Sequence, residues 1–121
     1  MERTKKLFMN LQGKDFVLYE GLLDEFHKNG GNSIETELVQ IELNEEVFFI
    51  FKAVVKGERG TFTGYGDACR GNVNPMVAPH MLRMAETRAK ARALRDYDNI
   101  GVTSLDELGG DVKLSSDDNE L

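Results

Sequence analysis

An alanine-rich stretch near the carboxyl end, Met81–Gly101, constrains the fold of this chain more than any other feature. Neither glycine nor proline interrupts it before its last residue, and alanine and leucine are strong helix formers. The stretch therefore predicts one long helix that ends at a glycine. At about 100° per residue, small and apolar residues share one face of this helix: Ala78, Met81, Leu82, Ala85, Ala89 and Ala93. Because alanine dominates this face, a sheet beneath it can approach the helix axis closely.

The same helix carries a basic stripe on a second face. Arg88, Arg92 and Arg95 follow i, i+4, i+7 spacing, so they lie along one side of the helix. From His80 to Arg95 the chain has five Arg or Lys residues and one acid, Glu86. Two interpretations stay open at this point, a solvated helix face and a ridge that binds phosphate groups.

The net charge of −6 is unevenly distributed along the 121 residues. From Asp106 to Leu121 there are six acids and one lysine, a local charge of −5, so residues 1–105 carry −1 of the total. The acidic total therefore does not argue against nucleic-acid binding. We expect a single domain over residues 1–108 and an acidic, disordered tail over Gly109–Leu121. This tail is expected to compete with phosphates for the arginines or to bind a protein partner.

Cysteine and histidine are too sparse for the common catalytic and metal sites. Cys69 is the single cysteine, so neither an internal disulfide nor a cysteine-based metal cluster is available. His27 and His80 have no metal-ligand neighbours at a recognisable spacing. No apolar run approaches membrane-spanning length, and no signal-type stretch follows the first residues. We expect a cytoplasmic protein that is not an enzyme, uses no metal or cofactor and does not contact a membrane.

The period of the apolar residues changes along the chain and predicts the order of elements. Alternating Leu7, Met9 and Leu11 indicate a short strand or an ordered arm. An amphipathic helix follows over Phe16–Asn29, with Asp15 as its N-cap. Three strand-like runs then come before the long helix: Ile34–Leu43, Val47–Lys56 and Thr61–Cys69. The predicted fold is α+β, an α-β-β-β-α chain with a three-stranded antiparallel meander and both helices on one face.

Two glycines in the third strand predict a close contact with the long helix. Gly64 and Gly66 lie on one strand face, and strand glycines often mark a close backbone approach. Asp67 follows them and is expected to form a structural ion pair with Arg92, which borders the alanine face. Arg92 therefore has two open roles, in stability and in DNA contact.

The long helix also resembles a recurring family signature. Ala85-Glu86-Thr87-Arg88-Ala89, then Arg92-Ala93-Leu94, then Ile100-Gly101 is similar to the A-E-T-x-A-x-x-R-A-L…G helix of the single-strand annealing recombinase superfamily. This superfamily includes the eukaryotic Rad-fifty-two type, the phage ERF type and the bacterial Ddr-A type. The strand with Gly64-Tyr65-Gly66-Asp67-Ala68 is similar to the one that comes before that helix. The resemblance covers about Phe16–Gly101.

What this resemblance implies is a core like that of double-stranded-RNA-binding domains and assembly into homo-oligomers. It also implies binding and annealing of single-stranded DNA in recombination or repair, without a nucleotide cofactor, by a phage- or bacteria-derived protein. The residues expected to bind nucleic acid are Arg83, Arg88, Lys90, Arg95, Arg70 and Tyr65. Tyr65 is the base-stacking residue among them, and the residue pattern leaves two roles open for Tyr97, base stacking and closing the end of the helix. Two alternatives stay open, a domain that reads the shape of duplex RNA or DNA and a non-enzymatic protein-interaction domain.

Overall fold

The computed structural model describes residues 7–73 and 80–108 and has an α+β architecture with two antiparallel sheets. The elements follow the chain in this order: β1 Phe8–Leu11, β2 Lys14–Val17, α1 Tyr19–Lys28, β3 Gly31–Glu42, β4 Phe48–Gly57, β5 Gly60–Cys69 and α2 Met81–Asp98. Short 3-10 turns at Arg70–Asn72 and Leu105–Glu107 follow β5 and α2. Neither helix is long and apolar enough to cross a membrane, as far as the described residues go.

The predicted three-stranded antiparallel meander is confirmed. The strand order is β3-β4-β5, and Lys52 at the middle of β4 lies opposite Glu37 of β3 and Tyr65 of β5. A register shift between Leu38 and Gln40 interrupts the β3 ladder. Alternate residues of β4 are buried beneath the helices, as a half-covered sheet requires: Phe49, Phe51, Ala53 and Val55.

The N-terminal part differs from the prediction. Residues 8–11 form a strand, but it pairs with a second strand, β2, in a hairpin whose turn has positive φ at Gln12 and Gly13. Asp15 is not a helix N-cap, because it lies within β2. The helix begins at Tyr19, whose N–H donates to the Asp106 carboxylate at 2.7 Å. A distant acid therefore supplies the cap that the sequence pattern assigned to a neighbouring one.

The contact between α2 and β5 is as close as the small residues predict. A Cβ added at Gly64 would lie 2.5 Å from the backbone nitrogen of Ala93 and 2.8 Å from the carbonyl oxygen of Ala89. A Cβ at Gly66 would collide with the backbone of Ala85 and Ala89. This close packing therefore requires glycine at both positions.

Helix α1 lies beside α2 on the same side of the sheet. The Phe26 ring of α1 meets the Tyr97 ring of α2 edge to face, with centroids 4.9 Å apart. The Tyr97 hydroxyl donates to the carbonyl oxygen of Asn29 at 2.9 Å, and its side chain is buried. Tyr97 thus closes the end of the helix layer and is not placed to stack on a base.

The segment after α2 returns across the molecule and contacts its beginning. Val17 donates its N–H to the carbonyl oxygen of Thr103 at 3.1 Å and forms a parallel bridge with Ser104. This contact places the Leu105–Glu107 turn against the side of α2 that carries the arginines. The predicted acidic tail over Gly109–Leu121 and the predicted helix-face residue Ala78 lie outside the described residues.

Candidate nucleic-acid interface

Two arginines of the α2 stripe, Arg92 and Arg95, are held by one buried carboxylate, that of Glu107. Its side chain is 3% exposed. It accepts bonds from Arg92 Nε at 3.0 Å, from Arg95 Nε at 2.8 Å and from Arg95 Nη2 at 3.1 Å. The backbone N–H of Ser104 donates to the same carboxylate at 3.0 Å. Two cations and a backbone donor therefore satisfy the buried charge.

Arg88 is placed differently from the sequence prediction. It is 5% exposed, so it does not present a solvated guanidinium to phosphate. Its Nε donates to the carbonyl oxygen of Glu107 at 2.7 Å, and Nη1 donates to that of Asp67 at 2.7 Å. Nη1 and Nη2 also donate to Asn72, at 2.9 Å and 2.6 Å. Arg88 is thus a structural residue that joins β5, the following turn and the C-terminal segment to α2.

The reason for this difference is the path of the chain around α2. Helix geometry places Arg88 away from the alanine face. If only the sheet covered the helix, the Arg88 side chain would therefore be exposed to solvent. The turn at Arg70–Asn72 and the turn at Leu105–Glu107 cover that other side as well. Neither turn has a periodic apolar signal, so the helical pattern alone does not reveal their position.

Arg92 has the predicted contact with Asp67, at 3.8 Å, but its shorter ionic contact is with Glu107. Its Nη1 also donates to the carbonyl oxygen of Tyr65 at 3.0 Å. The Arg92 side chain is 38% exposed, so one part of the guanidinium is bound and another faces solvent. Its contribution to stability remains a prediction.

Tyr65 lies next to Arg92 on the outer edge of the sheet. Because Gly64 and Gly66 face α2, strand alternation directs the Tyr65 side chain to the open sheet face, where it is 54% exposed. Arg70 is exposed just beyond the end of β5. This edge therefore combines an aromatic ring with partly or fully exposed cations.

The other predicted cations lie elsewhere or have partners. Arg95 is paired with Glu107 and largely covered. Arg83 is exposed in the first turns of α2. Lys90 lies 5.5 Å above the ring centroid of Tyr19, so it is directed toward α1. The six predicted residues therefore do not form one continuous surface.

Glu107 is the site residue that sequence reasoning missed. A signal was present, because Ser104 followed three residues later by Glu107 has the spacing of a capping box. The structure has one side-chain bond of such a box, from the Ser104 N–H to the Glu107 carboxylate at 3.0 Å, whereas the Ser104 hydroxyl has no hydrogen-bond partner among the described residues. The capping pattern predicts a local turn, however, and says nothing about which arginines it meets.

A second acid is covered without a partner. Both carboxylate oxygens of Asp98 are buried and have no hydrogen-bond partner among the described residues. The pKa of Asp98 is raised to about 7, first by burial and then by the charge of Glu25, while the charge of Arg59 opposes the shift. The end of α2 therefore holds a carboxyl group that changes charge near neutral pH.

Within the described ranges, no group of three or more His, Cys, Asp or Glu side chains is arranged to hold a metal ion. Comparison of the chain with protein-family models, with curated proteins and with solved structures finds no match. The chemistry of the β5 edge and of the arginine cluster is therefore the basis for assigning a function.

Proposed function

We propose that this chain binds and anneals single-stranded DNA in recombination or repair, with the outer edge of β5 as the contact surface. The observation that carries the proposal is that one strand, β5, exposes the Tyr65 ring and bonds the partly exposed Arg92 through the Tyr65 carbonyl oxygen, with Arg70 just beyond its end. An aromatic ring that stacks on bases and cations that follow the backbone are the two elements of sequence-independent single-strand binding.

The fixed position of Arg92 supports this contact. Arg92 and Arg95 share the carboxylate of Glu107, and 38% of the Arg92 side chain stays exposed to solvent. Arg70 adds an exposed cation beyond the end of the same strand. Because Glu107 fixes the guanidinium of Arg92, little side-chain entropy is lost when a phosphate binds to its exposed part.

The resemblance of α2 and β5 to the annealing superfamily supports the same proposal from the sequence. The residues that carry it, among them Gly64, Gly66 and Ala89, form the contact that positions Tyr65 and Arg92 at one edge. A core like that of double-stranded-RNA-binding domains and a homo-oligomeric state belong to this proposal as well. Sedimentation velocity at several protein concentrations tests the oligomeric state.

The test of DNA binding is a fluorescence-anisotropy titration with labelled oligo-dT, duplex DNA and duplex RNA at two salt concentrations. We expect oligo-dT to bind most tightly. Tyr65→Ala should cost about 1–3 kcal/mol through the loss of stacking on one base. Arg70→Ala should reduce the salt slope by about 0.7, which is the value for one phosphate contact on a single strand.

Lys14→Ala is the matched control, since Lys14 is an exposed cation on the separate β1–β2 sheet. It should leave the affinity and the salt slope unchanged. If Tyr65→Ala and Arg70→Ala bind oligo-dT as tightly as the parent chain, the β5 edge is not the contact surface. Tighter binding to either duplex would instead favour a reader of duplex shape. Mixing complementary labelled strands with the protein then tests annealing.

A further inference from the structure

The opposite edge of the sheet, formed by β3, is unlike the β5 edge and has no role in the proposed DNA contact. Its distal half, with the residue that follows it, exposes large apolar side chains, each between 40% and 63% exposed: Leu38, Val39 and Ile41 of β3 and Leu43 just beyond it. A long apolar edge strand is a template for pairing with another chain. The side chains and the backbone groups of β3 together indicate what kind of polypeptide segment can pair with this edge.

The hydrogen bonds of β5 show which backbone groups in the sheet point outward and which point toward a neighbouring strand. The carbonyl oxygens of Tyr65 and Asp67 accept bonds from arginines outside the sheet, so they point away from β4. Lys52 and Ile50 lie opposite them on β4. Because bonded and non-bonded pairs alternate in an antiparallel ladder, these two residues direct their backbone groups toward β3.

The same alternation then identifies the free groups of β3. Glu37 pairs with Lys52 and therefore bonds to β4. Its neighbours Thr36 and Leu38 direct their N–H and C=O groups outward, away from the sheet. No backbone partner for these outward groups occurs among the described strands, where β3 pairs with β4 alone. An added strand would satisfy them.

The two faces of β3 differ in chemistry. Thr36 and Leu38 lie opposite the buried residues Ala53 and Phe51, so they are on the helix side. Glu35 and Glu37 have the intervening positions and face the open side. The span 31–46 has five glutamates and neither lysine nor arginine. An added strand would therefore meet apolar side chains on one face and carboxylates on the other.

The first turn of α2 extends the apolar side of this edge. Thr36 donates its hydroxyl to the Glu86 carboxylate at 2.8 Å, which fixes α2 next to β3. Leu82 lies one turn before Glu86 on the same side of the helix and is 45% exposed. Since α2 runs antiparallel to β3, this places Leu82 on the Leu38 side of Thr36.

We propose that the free edge of β3 binds an extended peptide segment of a partner protein in which Lys or Arg alternates with apolar residues. The peptide adds as a fourth strand, with main-chain bonds to the outward groups of Thr36 and Leu38. Its apolar side chains pack beside Leu38 and Leu82. Its basic side chains lie next to Glu35 and Glu37 on the open face.

Two observations favour such a peptide over a second copy of this chain. Pairing of β3 with another β3 would bring ten glutamates of the two 31–46 spans together without lysine or arginine among them. The register shift between Leu38 and Gln40 also disturbs the regular edge that a long rigid strand needs. A short flexible peptide can follow this irregular edge.

The experiment uses the full chain and three synthetic peptides of about ten residues, the length of a long strand. The first alternates lysine with valine and isoleucine. The second has the same charge but two prolines at alternate positions, which remove donors to the ladder. The third has glutamate in place of lysine. Calorimetric titration should detect binding of the first peptide, and the other two should bind at least about tenfold more weakly, a difference of 1.4 kcal/mol.

Protein variants test the location. Leu38→Thr combined with Ile41→Thr keeps strand-forming residues and the charge but removes apolar area, and should weaken the first peptide at least about fivefold, or roughly 1 kcal/mol. Phe8→Thr is the matched control, because Phe8 is an exposed apolar residue of the other sheet. It should bind the peptide as the parent does.

Amide hydrogen exchange gives an independent measurement. Peptide binding should protect the outward N–H groups of Thr36 and Leu38 and leave the exchange of the β1 amides unchanged. Equal binding of the proline peptide would show general charge attraction and overturn the proposal. So would absence of binding, or a dimer held by the β3 edge that the peptide does not displace.

Discussion

The two edges of the β3-β4-β5 sheet belong to the same three strands, yet the described residues cover one edge and leave the other open. At β5 the carbonyl oxygens of Tyr65 and Asp67 accept bonds from Arg92 and Arg88. At β3 the described chain supplies no comparable cover, and large apolar side chains are exposed. The difference shows that charged side chains of a helix can close a sheet edge when a buried acid such as Glu107 balances them.

The cover on β5 depends on close approach as well as on charge. Gly64 and Gly66 let α2 lie directly on the strand, and this brings the arginines within reach of its outer carbonyl groups. On the β3 side, α2 is fixed by a peripheral bond from Thr36 to Glu86. The helix therefore covers one half of the sheet more fully than the other.

The largest expected effect tests the charge balance at the covered edge. Glu107→Ala should lower the free energy of unfolding by about 3–5 kcal/mol, because it leaves Arg92 and Arg95 without their buried partner. Glu37→Ala, an exposed acid on β3, should change it by less than about 0.5 kcal/mol. Urea unfolding of both variants provides the comparison. Equal losses would mean that Glu107 is not the centre of the cluster.

The second largest expected effect tests the close contact between α2 and β5. Gly66→Ala should cost about 3 kcal/mol, since its Cβ would collide with the α2 backbone and force the helix away from β5. Gly71→Ala makes the same chemical change where the nearest atom to a Cβ, the Cys69 sulfur, is 3.8 Å away. We expect no more than about 0.5 kcal/mol there. Thermal unfolding with circular dichroism measures both, and a tolerated Gly66→Ala would contradict the packing argument.

A third prediction concerns Asp98. Unlike the carboxylate of Glu107, that of Asp98 is buried and has no hydrogen-bond partner in the described structure. Burial raises the pKa of Asp98 from 3.8 to about 7, so between these values the unfolded chain loses a proton that the folded chain keeps. The free energy of unfolding should therefore fall as the pH rises through this window.

Asp98→Asn should remove this decrease and stabilise the protein at pH 8 by about 1–3 kcal/mol, with little effect at pH 4. Denaturant unfolding at a series of pH values measures it. Asp96→Asn, a change to an exposed acid two residues earlier, is the control and should keep the pH dependence of the parent. A stabilisation by Asp98→Asn that does not grow between pH 4 and pH 8 would contradict the sign.

The smallest expected change in the free energy of unfolding concerns an exposed residue at the β3 edge. Leu38→Thr should change the free energy of unfolding by less than about 0.5 kcal/mol, because this side chain is exposed. Val55→Thr places a hydroxyl at a buried position of β4 and should cost about 1–3 kcal/mol. A large loss from Leu38→Thr in urea unfolding would mean that the β3 edge is covered in the folded chain.

Local sequence patterns were sufficient for much of the fold. The apolar run along residues 47–56 predicts a central strand, and the alanine-rich stretch from Met81 predicts the long helix. Gly64 and Gly66 predict the contact between helix and strand. These features could be read from the sequence because each depends on residues a few positions apart, whose spacing fixes which side of an element they occupy.

The start of α1 could not be read in the same way. Phe16 fits the helical spacing, but its segment pairs as β2 with residues 8–11, and Asp106 caps the helix from 87 positions away. Strand pairing and a distant cap together outweigh the weak helical preference of a short segment.

The arginine stripe of α2 can be predicted from the amino-acid sequence, because it follows from helical spacing. The role of each arginine in it depends on how the rest of the chain packs around the helix. The turns at residues 70–72 and 105–107 come together over α2, and they bury Arg88 while leaving part of Arg92 exposed. The physical reason is that the solvation and pairing of a charge depend on all the segments packed around it, whereas helical periodicity describes one segment alone.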